Sequence, residues 1–165
     1  MDEKTLFLSF WEKEAPATRK VISRIPQEKS DYKPEPKSRT AREIAWLLVM
    51  EGKALVEGLE KGAIDWKEEP TPVTVKEILD TYDRWHADLT NRLHQLAAAA
   101  WERKIPFLYQ GQEVMNETGY QHAWITLFDQ VHHPRPALDL PSAHGFHCPL
   151  HLWAERGRNV LARKP

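Results

Sequence analysis

The sequence predicts an all-α protein, an antiparallel four-helix bundle followed by an irregular C-terminal tail. Three observations carry that prediction. Apolar residues recur at helical spacing through long segments, two of these segments open with a capping box, and no alternating apolar and polar run calls for a strand. With 165 residues the chain has the size of one ordinary domain with a self-supporting core. The bundle is assigned to residues 1–136 and the tail to residues 137–165.

The first helix is read through LFLSFWEKEAPATRKVISRI, with Leu6, Phe10, Val21, Ile22 and Ile25 as apolar anchors. Pro16 either kinks this helix or starts a second one, because proline suits a first turn and not a helix interior. PQEKSDYKPEPKSR is polar and proline-punctuated, which marks a linker. The second helix opens at Thr40, where Thr40 and Glu43 form a capping box that satisfies orphan amides of the first turn. On its apolar face, Ile44, Leu47, Leu48, Leu55 and Leu59 surround Glu51. A carboxylate aimed at a core loses several kcal/mol of hydration unless it is paired, protonated or bound to metal. Glu51 is therefore either a ligand or a residue paired with a cation or reaching water at the bundle end.

A second capping box, Thr74 with Glu77, starts the third helix. Val75, Leu79, Tyr82, His86, Leu89, Leu93 and Leu96 alternate steps of four and three, the spacing of a helix packed in a bundle, so His86 faces inward. A lone histidine on an apolar stripe is more often a hydrogen-bonded core residue than a ligand. ERKIPFLYQGQEVMNETG, with Pro106 and Gly111, reads as a long connection. The last helix is GYQHAWITLFDQVHHPR, residues 119–135. It divides into an apolar arc of Trp124, Leu127, Phe128 and Val131 and a polar arc of His122, Thr126, Asp129 and His133. Asp129 and His133 are one turn apart, where side chains roughly 5–6 Å apart can share a metal ion. A solvated polar face gives the same pattern.

Charge and composition exclude several classes. The 23 basic and 24 acidic residues nearly cancel and form no basic stripe, so no nucleic-acid partner is expected. MDEKTLFLSFWEKE is charged almost at once, which leaves neither a signal peptide nor a membrane span and makes a cytoplasmic protein the expectation. The single cysteine agrees with a reducing compartment.

IPQEKSDYKPEPKSRTAREIAW, followed by a helix and later by LFDQVHH, resembles the DinB superfamily of DinB/YfiT-like proteins over roughly residues 5–133. The resemblance implies a four-helix bundle, often a dimer, with a divalent metal on three histidines. One comes from the second helix and two from an HxxxH step on the last bundle helix, commonly continuing as His-Arg-Gly-Gln. His133 matches the second histidine of that step, and Asp129 stands where the first would be. Leu47 replaces the second-helix histidine, with Glu51 one turn further on. Either Glu51 and Asp129 substitute as oxygen ligands, or this branch has weakened or lost its metal.

The resemblance stops after His133. Residues 133–165, HPRPALDLPSAHGFHCPLHLWAERGRNVLARKP, are proline-rich, histidine-dense and without helical period. With suitable codons and one C deleted from the codon of Pro134, the shifted frame reads HRGQLSTYLRPMGSTVPSIYGPSADE, which is family-like and includes His-Arg-Gly-Gln. Several shifted positions are tightly limited: Trp153 must give Gly, and His144 gives only Met or Thr. These limits motivate the hypothesis of a single-base frameshift, and a well-packed helix or strand in the tail would count against it. The cluster of His144, His147, Cys148 and His151 is accordingly discounted as a zinc site, its spacing being unlike paired CxxC or HxxxH steps.

Two functions are expected from these readings. The first is a divalent-metal-dependent enzyme acting on a small molecule, with His133, Asp129 and Glu51 as ligands and His122 or His86 as acid or base. The resemblance implies thiol-dependent transferase, isomerase or hydrolase chemistry, a low-molecular-weight thiol partner and a homodimer. The mixed donor set points to zinc, manganese, nickel or iron. The second is a metal-free bundle that binds or dimerises without catalysis. No Ser-His-Asp set, phosphate loop or nucleotide fingerprint supports another enzyme class.

Overall fold

A computed structural model describes residues 1–33 and 36–132. The chain is mostly helical and carries a small three-stranded sheet. Helix α1 spans Glu3–Ser23, α2 Ala41–Lys61, α3 Val75–Gln95, α4 Ala98–Glu102 and α5 Gly119–His132, with strands β1 Ile64–Trp66, β2 Lys104–Tyr109 and β3 Gln112–Thr118. Helix α1 packs against α3 and α5, and α2 packs against the same two. No described helix is long and apolar enough to cross a membrane.

The helix starts are set locally, as expected. Thr40 Oγ1 accepts from the Glu43 amide at 3.0 Å while Glu43 returns a carboxylate to the Thr40 amide at 2.7 Å. Thr74 and Glu77 repeat the arrangement at 3.2 and 2.9 Å. Each box satisfies two amides that have no partner within the first helical turn. Helix α1 runs unbroken through Pro16, capped at its start by Asp2. Its buried residues are Phe7, Leu8, Trp11, Thr18 and Ile22, whereas the expected anchors Leu6 and Phe10 are exposed. The larger aromatic stripe Phe7 and Trp11, one position around the helix, takes the core instead, because α3 and α5 close on that side.

The all-α expectation is corrected by the segment read as a connection. Residues 104–118 form a hairpin, joined by parallel pairing of β1 to β2 over Ile64↔Phe107 to Trp66↔Tyr109. Gln110 and Gly111 both have positive φ, 52° and 77°, as a two-residue hairpin turn of the primed type requires. Pro106 is tolerated because β1 pairing begins only at Phe107, so one side of β2 asks nothing of its missing N–H. Ile105 is fully buried, and the Gly119 amide donates to the Arg103 carbonyl at 3.1 Å where the hairpin closes into α5. A Cβ on Gly119 would stand 2.6 Å from the Ala100 carbonyl oxygen and from Leu59 Cδ2, so only glycine lets α5 begin this close to α4 and α2.

The core has two parts. One gathers Phe7, Trp11, Leu55, Leu59, Leu93, Trp101, Ile105 and Leu127. The other holds Ile22, Trp46, Val49, Met50, Ile78 and Tyr82. Burying each large apolar side chain contributes roughly 1.5–3 kcal/mol. The α3 stripe is close to its expectation, with Val75, Tyr82, Leu89 and Leu93 buried and Ile78 taking the place of Leu79. The tail from residue 137 lies outside the described residues.

Candidate functional site on helices α2 and α5

Helix α2 carries Glu51 into the interior, as its sequence pattern predicts. Leu48, Leu55 and Leu59 are buried around it, with Ile44 and Leu47 half-buried. Glu51 itself is 6% exposed, and its Oε2 meets no hydrogen-bond donor among the described residues. An ionised carboxylate in that setting is costly.

Helix α5 is turned the other way round from a surface helix. Its polar residues His122, Thr126, Asp129 and Gln130 are buried, Asp129 to 3%, while Phe128 is 56% and Val131 44% exposed. Leu127 and Ala123 point inward with the polar arc, and Trp124 is half-buried against α1. The expected two arcs thus exist, but the solvated-face reading of the polar one is corrected. This orientation follows from packing against α2 as well as α1.

Glu51 and Asp129 therefore face a common interior. Desolvation first, and the Asp129 charge second, hold the Glu51 carboxyl well above its ordinary pKa, while Arg39 pulls weakly the other way. Gln130, next to Asp129, donates from Nε2 to the Leu48 carbonyl at 3.2 Å and so ties α5 to α2. A Cβ on Gly52 would lie 3.5 Å from that Gln130 nitrogen and 3.2 Å from Trp11 Cη2, which puts Trp11 and Gln130 beside Glu51's neighbour. His133 lies outside the described residues, as does the cluster of His144, His147, Cys148 and His151. Among the described residues no three His, Cys, Asp or Glu side chains group to hold a metal ion.

The two histidines expected as acid or base have other partners. His122 is 2% exposed, and its Nε2 lies 2.8 Å from the Ile105 carbonyl, to which Nε2–H donates. It fastens the hairpin to α5, and burial lowers its pKa. His86 stacks on Trp11 with ring centres 5.2 Å apart and lies 5.4 Å from the Tyr82 ring. Trp11 Nε1 donates to Thr90 Oγ1 at 2.8 Å, which leaves the Thr90 proton available to His86 Nδ1 at 3.3 Å. Burial lowers the His86 pKa, opposed by Glu12 and Asp83.

Sequence reasoning missed Trp11 and Gln130. Gln130 was legible as an amide adjacent to Asp129 on a helix whose polar arc is wide, and Trp11 as the neighbour at i+4 of Phe7.

A buried acidic pair on two facing helices, joined by a short sheet, defines the chain as a helical protein with an interior polar site. Its residues 11–135 match the DinB superfamily, and the chain belongs to that superfamily. Its fold is similar to that of a DinB-like protein from Bacillus subtilis, YjoA, at 17% identity and a TM-score of 0.63, covering 83% of this chain and 96% of that one. It is also similar to a DinB-like protein from Bacillus cereus ATCC 10987, at 18% identity and a TM-score of 0.64, covering 84% of this chain and 95% of that one. No curated protein matches the chain.

Proposed function

We propose that the protein is a divalent-metal-dependent enzyme of the DinB type that acts on a small molecule within a four-helix bundle. The observation that carries the reading is Glu51, a buried carboxyl whose Oε2 has no donor among the described residues and which senses Asp129 from the facing helix. A buried acid whose ionisation is opposed first by burial and then by a neighbouring acid suits a cation beside it. Glu51 and Asp129 would supply oxygen ligands and His133 a nitrogen ligand, a set that suits zinc, manganese, nickel or iron. When bound, the ion would supply Lewis-acid polarisation and lower the pKa of a coordinated water or thiol.

The chain's own groups would do the remainder. The buried Leu48, Leu55 and Trp11 would keep water from the acids, and Gln130 would fix the spacing of α5 against α2 through its bond to the Leu48 carbonyl. A low-molecular-weight thiol is the co-substrate class we favour, in transferase, isomerase or hydrolase chemistry.

Elemental analysis and metal titration of protein purified without a metal-affinity tag test this reading. About one ion per chain is expected for the wild type. Glu51→Gln, Asp129→Asn and His133→Ala should each lower affinity sharply, since a three-ligand site cut to two no longer encloses the ion. His132→Ala, about a quarter turn away from His133, should change little. Equal metal content in all forms would overturn the enzyme reading. It would favour the second one, a metal-free binding module in which Glu51 is simply protonated, as its raised pKa permits.

A further inference from the structure

The face of α2 that carries Glu51 is sealed on one side of it and partly open on the other. Thr40, Ile44, Leu47 and Glu51 share that face, at steps of four, three and four. Beyond Glu51, Leu55 and Leu59 are 1% and 0% exposed and pack with Trp101 of α4 and Ile105 of the hairpin, which close that end of the bundle. Before Glu51, Ile44 and Leu47 are only half-buried. Helix α5 runs antiparallel to α2, since Gly119 lies against Leu59 and Gln130 bonds to Leu48. Among the described residues, a small molecule therefore approaches Glu51 from the amino-terminal end of α2, past Ile44 and Leu47.

That end is basic. Arg39 stands immediately before the Thr40 cap, half-buried, and its charge acts on Glu51 and, together with that of Lys33, on Glu43 in the first turn. Arg42 is committed elsewhere, to Asp31 Oδ1 at 2.6 Å and to the Pro72 carbonyl at 2.7 Å. Glu43 is committed to the capping box. Arg39 is held more loosely. Its ion pair with Glu68 is 3.6 Å long, with 36% and 62% of the two side chains exposed, and a pair of that kind contributes little. A guanidinium offers a planar fork of N–H donors that matches a carboxylate or a phosphate. Weakly paired and set at the approach to a desolvated acid, Arg39 is placed to exchange Glu68 for an incoming anion. A divalent ion on Glu51 and Asp129 would offset their charge, so that such an anion meets no net repulsion there.

We propose that Arg39 is a specificity-determining residue that binds an oxyanion group, carboxylate or phosphate, on a small molecule whose other end reaches Glu51. The inference rests on the reading of Glu51 as part of a reacting site and adds to it the charge of the substrate. Isothermal titration calorimetry of the full chain, with and without zinc, tests it using succinate, glycerol 3-phosphate and the neutral succinamide. One of the two anions should bind about tenfold more tightly than succinamide, and the tighter of them identifies the group. Arg39→Gln should weaken that binding about tenfold with zinc content unchanged. Arg39→Lys should weaken it less, because the ammonium keeps the charge and loses the fork. Glu68→Gln should strengthen it about twofold by releasing Arg39. Lys20→Gln, an equal change of net charge on the exposed side of α1, should leave it unchanged. Failure of both anions to bind better than succinamide overturns the proposal, and so does anion binding that survives Arg39→Gln; zinc content then still decides the metal reading by itself. Arg39-dependent anion binding by a chain that takes up no zinc upholds Arg39 as the anion site and removes the metal reading alone.

Discussion

The seam between α1 and α3 and the seam between α2 and α5 are both partly polar, yet they are built on opposite terms. In the first, Trp11 donates to Thr90, the Tyr82 hydroxyl donates to the Ala15 carbonyl at 3.1 Å, and Arg19 holds Asp83 through two bonds of 2.7 and 2.8 Å. His94 and Glu12 add a contact of 2.6 Å. In the second, Glu51 sits among apolar side chains, its Oε2 without a donor among the described residues, and the charge of Asp129 opposes its ionisation. A hydrogen-bonded seam stabilises the fold, whereas a desolvated carboxyl such as Glu51 weakens it unless it takes up a proton or a cation. The difference teaches that polar groups enter this interior in two ways, hydrogen-bonded across the first seam and, at Glu51 of the second, desolvated beside another acid.

Substitutions should separate the two seams, the largest effect falling on the first. Trp11→Ala removes a 3%-exposed indole that contacts Phe7 and His86, and should destabilise by about 3–5 kcal/mol in chemical denaturation. Loss of less than about 1 kcal/mol would mean that the seam repacks freely. Glu51→Leu should do the reverse in metal-stripped protein, raising stability by about 1–3 kcal/mol, because a desolvated carboxyl is replaced by an apolar group of similar size. A destabilised Glu51→Leu variant would show that Glu51 has a stabilising partner and would erase the contrast. Thr90→Val keeps shape but strands the Trp11 N–H, and should cost about 1–2 kcal/mol.

Smaller still is a pH dependence that belongs to the histidines. Burial lowers the pKa of both His86 and His122 below the ordinary value near 6.5. The unfolded chain therefore binds more protons than the folded one between each lowered value and about 6.5. The stability these neutral rings contribute is fully present above that window and is lost as pH falls through it. Thermal melts from pH 8 down to pH 5 should show the decline, and it should flatten in a His86→Asn, His122→Asn double variant. An unchanged slope in that variant would assign the dependence to other groups.

Much of the helical framework is legible because its signals are local. Thr40 with Glu43 and Thr74 with Glu77 cap their own helices, and the four-and-three spacing from Val75 to Leu93 is a property of one helix. Glu51 can be read as an interior acid because leucines on its own helix surround it. The hairpin at residues 104–118 is not legible, since its pattern is short and Pro106 argues against a strand, a penalty that vanishes only because the pairing of β2 with β1 begins at Phe107. On α1 and α5 the sequence defines the arcs and leaves open which of them enters the core. Leu6 and Phe10 lose that place to Phe7 and Trp11, and Phe128 and Val131 to Asp129 and Gln130.

By itself, then, the sequence determined where α2, α3 and α5 begin, which acid lies inside α2, and the superfamily to which the chain belongs. Tertiary structure alone decided that a sheet joins α4 to α5 and that the polar arc of α5 turns inward. Capping and periodicity act within one segment over a few residues, whereas the rotation of a helix about its axis is fixed by whatever packs against it from distant parts of the chain.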